Sequence, residues 1–171
     1  MPRIIRLEGA SLDLQKFSKT FEDNCGLEMT TESIAASIKR VAPLFAGDLI
    51  NRHDSDNEWG EWFAAGGFLY AQTPQMATPG NHEYGRGPVL NPQWRRQFTL
   101  PETGPDGVER LKETAWTIDY QGMRLISIDA PLFHGDEAMR SAMVDWLDGL
   151  LANNPNRWTV LFLHFPLFSI D

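Results

Sequence analysis

An α/β layered sheet is the architecture this sequence predicts, and three observations predict it. The run Trp158-Thr159-Val160-Leu161-Phe162-Leu163 is continuously apolar, the pattern of a strand buried on both faces. Just before it, Met139, Met143, Trp146, Leu147, Leu150 and Leu151 recur at i, i+4, i+7, i+8, i+11 and i+12, one face of a helix. Along the whole chain, strand-like and helix-like segments alternate, as they do in sheets covered by helices.

The elements follow in order. Ile34, Ile38 and Val41 fall on one helical face, with Thr30 or Thr31 as N-cap and Pro43 as the stop. Leu44-Phe45-Ala46 reads as a short buried strand running into Gly47-Asp48. A helix starts near Asp56 with Trp59, Trp62 and Phe63 on one face, and Gly66-Gly67 weakens or ends it. Gln75 to Thr78 is a strand ending at Pro79-Gly80. From Gly85 to Glu113, Pro and Gly are frequent and no period holds, so this stretch reads as a long loop with one helical turn near Trp94. Ala115 to Tyr120 alternates, Gln121-Gly122 supplies a turn and Met123 to Asp129 follows, which together predict a hairpin. Asp136 opens the helix of the methionines and Asn153-Asn154-Pro155 closes it.

The chain has 171 residues, the size of one domain, and 42% of them are hydrophobic, enough for a packed core. Fifteen Lys and Arg against 23 Asp and Glu leave a net charge of −8, which argues against a nucleic-acid backbone or an anionic membrane as the partner. With one cysteine, Cys25, a disulfide scaffold and a cysteine zinc site are both excluded within the chain. No apolar run approaches the roughly 18–20 residues of a membrane span, and Met1 to Glu8 lacks the apolar stretch of a signal peptide.

In open α/β sheets ligands bind beyond the carboxyl ends of the strands. Three predicted strands end in groups that bind metals: the first at Gly47-Asp48, the second at Gly80-Asn81-His82-Glu83, the last at His164. If those strands are neighbours, Asp48, Asn81 and His164 converge on one rim, a carboxylate, an amide oxygen and an imidazole. Glu83 reads as a residue that orients its loop by hydrogen bonding. Asn51, Arg52, His53, Asp54 and Asp56 form a polar loop at the same rim, by default a solvated one, with Asn51 and Arg52 as candidate substrate contacts and Arg52 or His53 as the alternative to solvation near a phosphate. His134, beyond the strand that ends at Asp129, is a third such candidate. The tryptophans are read as packing residues, Trp94 on the long loop being the exception to watch.

Gly47-Asp48-Leu49, Gly80-Asn81-His82-Glu83 and His164-Phe165-Pro166, in that order, resemble the calcineurin-like metallophosphoesterases, and within them the purple-acid-phosphatase-like branch, whose third motif is a His followed by x-Pro. The resemblance runs from about Ala46 to Ile170. It implies a layered α/β/β/α sandwich and two divalent or trivalent metal ions (Fe, Zn or Mn). It also implies hydrolysis of phosphate monoesters or diesters by a metal-activated hydroxide. Asp48 is then the bridging carboxylate, Asn81 and His164 ligands of the second metal, and Asp13, in Asp13-Leu14-Gln15, a ligand of the first. His82 is implied to face the substrate phosphate as catalytic residue, stabilising charge or protonating the leaving oxygen. The implied partner is a phosphorylated small molecule, with no nucleic acid and no membrane.

Two departures shape the expectation. The family's late Gly-His-x-His has no counterpart up to Asp171, so residues 31–171 are expected to be a partial domain, incomplete at its C-terminal end, behind a poorly matched segment 1–30. Asn51 stands where purple acid phosphatases carry an iron-binding tyrosine, so no purple colour is expected. Export of the parent protein to the periplasm or beyond stays open, as does the oligomeric state. Two other readings stand beside the enzyme: a non-catalytic remnant or interaction module with at most one metal, and a small-nucleotide phosphodiesterase.

Overall fold

The computed structural model describes residues 43–120 and 122–166. The helix read at Thr31–Val41 and the candidate ligand Asp13 lie outside the described residues. Two compact units divide the chain: Leu44–Trp59 with Gln75–Asp171, which carries both sheets, and Met1–Pro43 with Gly60–Pro74.

Within the larger unit, β1 (Leu44–Ala46) and β2 (Met76–Thr78) pair in parallel, with Ala46 opposite Thr78. The second sheet has three strands in the order β3 (Trp116–Tyr120), β4 (Met123–Ser127), β5 (Trp158–Phe162). β3 and β4 form the expected antiparallel hairpin, its turn opened by Gly122 at φ 80°. β5 returns parallel to β4, Phe162 opposite Ser127, after a helical crossover. Two buried hydrogen bonds tie the sheets: Thr78 Oγ1 donates to the Ile128 carbonyl at 2.9 Å and Trp116 Nε1 donates to the Ala77 carbonyl at 3.2 Å.

Among the described residues, four α-helices accompany the strands. α1 (Asp56–Gln72) departs from helical geometry at Gly67 (φ 50°, ψ −131°), the break expected of Gly66-Gly67. Within the smaller unit, Trp62 packs its ring against Phe63 and Tyr70. α2 (Gln93–Gln97) is the helical turn expected near Trp94. α3 (Ala130–Gly135) went unread in the sequence; Asp129 caps it by accepting the Leu132 N–H at 3.0 Å, and Pro131 suits its first turn. α4 (Glu137–Ala152) begins at Asp136, whose carboxylate accepts the N–H groups of Ala138 and Met139. Its apolar face supplies Met143, fully buried, to a core with Leu111, Ile126, Ile128 and Leu132.

Three readings need correction. β5 is not buried on both faces: Trp158 and Thr159 are exposed and only Phe162 is buried. Its apolar residues meet β4 and α4 at one end of the strand, while Trp158 lies under the Arg157 guanidinium at 5.3 Å. Trp94 is not a loop residue open to ligand but 1% exposed, its ring against Phe98 and its Nε1 donating to the Glu113 carbonyl. Nor is β1 buried: Leu44 and Ala46 are exposed and Phe45 is half-buried. His134, beyond the strand that ends near Asp129, sits in the last turn of α3.

Candidate metal centre

β1 ends in a sharp reversal. Gly47 (φ 81°) and Asp48 (φ 52°) both take left-handed backbone, which glycine adopts freely and aspartate tolerates. This brings the turn against the one that follows β2, where a Cβ on Gly47 would overlap the Gly80 backbone and a Cβ on Gly80 would overlap Asp48. Both glycines are needed by close approach.

Glu83 holds the two turns together. It is 1% exposed, and its carboxylate accepts three backbone N–H groups: Asp48 at 2.9 Å and Gly80 at 2.7 Å on Oε2, Leu49 at 2.7 Å on Oε1. Burial pushes its pKa up, and the three donors pull against that shift because each needs a lone pair. Residues 81–83 form a single 3₁₀ turn closed by this carboxylate. A second carboxylate, Glu58 in α1, fixes the neighbouring loop by accepting the N–H groups of Asn51 (2.6 Å) and Arg52 (2.8 Å).

The side chains expected to converge do so. His164, just past β5, directs Nδ1 at the Ala46 carbonyl (2.8 Å) and Nε2 at Asn81 Oδ1 (3.0 Å) and Asp48 Oδ2 (3.2 Å). A carbonyl only accepts, so Nδ1 carries a proton, which leaves Nε2 as the ring nitrogen that can offer a lone pair to a cation. Three lone-pair donors then face one another, an arrangement that a cation between them stabilises. Separations of 3.0–3.2 Å suit donors that share one ion at bond lengths of about 2.0–2.2 Å. A carboxylate, an amide oxygen and an imidazole form a mixed set that fits zinc, iron or manganese. Among the described residues no cluster of three His, Cys, Asp or Glu side chains forms; the third donor here is the Asn81 amide.

His82 lies beside this trio. Its backbone N–H donates to Asp48 Oδ1 at 2.9 Å, its ring Nδ1 donates to the Asn51 carbonyl at 2.6 Å, and its Nε2 is 3.8 Å from Asp48 Oδ2. The Asn51 carbonyl is the main cause of a raised pKa, with the charges of Asp48, Glu83 and Glu58 adding to it. Arg52 is largely exposed and pairs with Glu58 at 3.6 Å. His134 is joined to the trio only through rings, Phe165 standing 5.6 Å from it and 4.8 Å from His164.

Two groups had no counterpart in the sequence reading. Asp129, fully buried, accepts the Tyr84 hydroxyl at 2.5 Å and so anchors the chain directly after the 3₁₀ turn. Asn91 donates to His53 at 2.8 Å. The available signals were an Asp before a proline-containing helix start and an Asn placed two residues before Gln93, both common in turns.

Fold and site together define an α/β protein that gathers a carboxylate, an amide oxygen and an imidazole at the carboxyl ends of its strands. The family model for calcineurin-like phosphoesterases matches residues 23–171, and the chain belongs to that family of metal-dependent phosphoesterases. No curated protein matches it. No helix among the described residues is long and apolar enough to cross a membrane.

Proposed function

We propose that this chain is a phosphoesterase domain of the purple-acid-phosphatase-like branch, hydrolysing monoesters or diesters of phosphorylated small molecules at a dinuclear centre. The convergence of Asp48 Oδ2, Asn81 Oδ1 and His164 Nε2 carries the reading. These three would hold one ion, Asp48 would serve a second as well, and Asp13 is the proposed ligand there. When bound, the ions supply Lewis-acid stabilisation of phosphoryl charge and activation of water.

The chain's own residues do the rest. Glu83 and the paired glycines set Asp48 and Asn81 at bonding distance before any ion arrives, which spares reorganisation. His82, with Nδ1 committed to the Asn51 carbonyl, turns Nε2 toward the rim to stabilise phosphoryl charge or pass a proton to the leaving oxygen. Arg52 and Asn51 on the clamped loop, and His134 across Phe165, are the proposed substrate contacts. A small phosphorylated substrate suits a chain of net charge −8 better than a nucleic acid does.

Metal analysis of the purified chain, with 4-nitrophenyl phosphate hydrolysis in added manganese or zinc, tests the proposal. Two bound ions and turnover abolished by Asp48→Asn are expected. One bound ion without turnover supports the remnant reading, which the single three-donor set among the described residues favours. Metal-free, inert protein overturns the phosphoesterase reading.

A further inference from the structure

We propose that His53 is a substrate-binding residue, offering its Nε2–H to a phosphoryl oxygen, and that Asn91 is the positioning residue that sets the direction of this hydrogen bond. The inference rests on the phosphoesterase reading and adds to it a recognition residue outside the metal-binding motifs.

The polarity of the ring follows from a chain of donors. Asn91 Oδ1 accepts the Gln93 backbone N–H at 2.8 Å, which identifies that atom as the oxygen. The other end of the amide, Nδ2, lies 2.8 Å from His53 Nδ1. An amide nitrogen only donates, so Nδ1 accepts and the ring proton sits on Nε2. Asn91 is itself fixed: its N–H donates to the Glu83 carbonyl at 3.1 Å and its carbonyl receives the Trp94 N–H at 3.1 Å. The tautomer of His53 is therefore set by the same segment that carries the metal-binding turn.

Position follows from the two loops that enclose the ring. His53 is two residues beyond Asn51, whose carbonyl holds the His82 ring, so its backbone is within about 7 Å of that contact. On the other side Gly85, three residues beyond His82, stands against the ring; a Cβ there would lie 3.7 Å from Cε1 and 3.8 Å from Nε2. His53 is half-buried, and no protein acceptor for its Nε2–H is recorded among the described residues. An oriented N–H donor on the loop that also holds the His82 ring is suited to bind a phosphoryl oxygen.

The test uses the full chain labelled with ¹⁵N-histidine. Long-range ¹H–¹⁵N spectra are expected to show His53 as the Nε2–H tautomer. Titration with inorganic phosphate in the presence of zinc is expected to move the His53 Nε2 resonance along a saturable curve. His53→Ala is expected to raise KM for 4-nitrophenyl phosphate roughly tenfold while leaving kcat within about threefold, as for loss of one charge-assisted hydrogen bond. His53→Gln, which keeps an N–H donor at the Nε2 position, is expected to recover most of that loss. Asn91→Leu should loosen the ring, raise KM and leave the metal content unchanged. A His53 resonance indifferent to phosphate while His82 responds, or a KM unmoved in His53→Ala, overturns the proposal. Absence of turnover in the wild-type chain overturns the phosphoesterase reading alone, since the phosphate titration still decides the role of His53.

Discussion

Glu83 sits at the centre of the site although no reaction step requires it. Its two oxygens accept the N–H groups of Asp48, Leu49 and Gly80, and the ionised carboxylate accepts all three most strongly. Glu83→Gln keeps the shape and removes one acceptor: the new NH₂ must face an N–H, leaving a buried donor unpaired. Such a group costs about 1–3 kcal/mol, and hydrogen bonds to a charged partner are worth about 1.5–3. The expected loss of stability is therefore about 2–3 kcal/mol, read as a lower urea midpoint at unchanged m-value. Metal affinity should fall with it, because the donor left unpaired, Leu49 N–H, belongs to the turn that carries Asp48. A loss below about 0.5 kcal/mol, the range of a surface substitution, would show that the turns hold without the carboxylate. In the sequence, Glu83 was legible as a loop-orienting residue from its place after Gly-Asn-His. That one carboxylate would serve both turns was not, because Asp48 and Glu83 are 35 positions apart and only pairing of β1 with β2 brings them together.

At the scale of elements, the strands and helices with a strong period were legible, as were short pieces bounded by Gly or Pro, whereas α3 was not. α4 and the β3–β4 hairpin follow from apolar spacing and a Gln-Gly turn. α3 has six residues, too few to show a period, and its signal was the Asp129 cap with Pro131 behind it. The misreading of β5 has a different origin: an apolar run gives the hydrophobicity of a strand, not the side on which neighbours lie. Asp129 shows how much one unread cap can carry, since it closes α3 through Leu132 and also receives the Tyr84 hydroxyl. Burial, the largest influence, raises its pKa, while the Tyr84, Leu132 and Thr114 hydrogen bonds and the Arg110 charge lower it. A carboxyl whose pKa is higher folded than unfolded contributes fully to stability below the unfolded value, about 3.9 for Asp, and that contribution is lost as pH rises through the folded value. Asparagine at 129 has no such titration. Its oxygen accepts the Leu132 N–H, and its NH₂ donates to Tyr84 in the reverse sense. The stability of Asp129→Asn relative to wild type should therefore rise between pH 4 and pH 7 in urea titrations. A difference independent of pH would mean that the carboxyl titrates alike in both states.

Across the whole larger unit, the three donors connect parts that are otherwise joined by few bonds. Asp48 follows β1 and Asn81 follows β2 in the first sheet, while His164 follows β5 in the second. Beside Thr78 to Ile128 and Trp116 to Ala77, the His164 contacts with Ala46, Asn81 and Asp48 are the links between the sheets at the rim. An ion held by all three would bridge the sheets and bind the folded chain alone, and would then stabilise by mass action, about 2.7 kcal/mol at a hundred times Kd. For a chain of 171 residues, each kcal/mol moves Tm by about 2–4 °C. Saturating zinc or manganese should therefore raise Tm by about 5–10 °C, and a chelator should return it to the starting value. Asp48→Asn replaces the carboxylate by a neutral donor and should lose most of the increment; His164→Ala should lose it and also free the β1 end by removing the bond to Ala46. Comparing the two variants separates the bridge from the ion. If the metal increment survives in Asp48→Asn, the ion is bound elsewhere. If His164→Ala keeps the full metal shift, only the first sheet holds the ion and the link between sheets is not made through it.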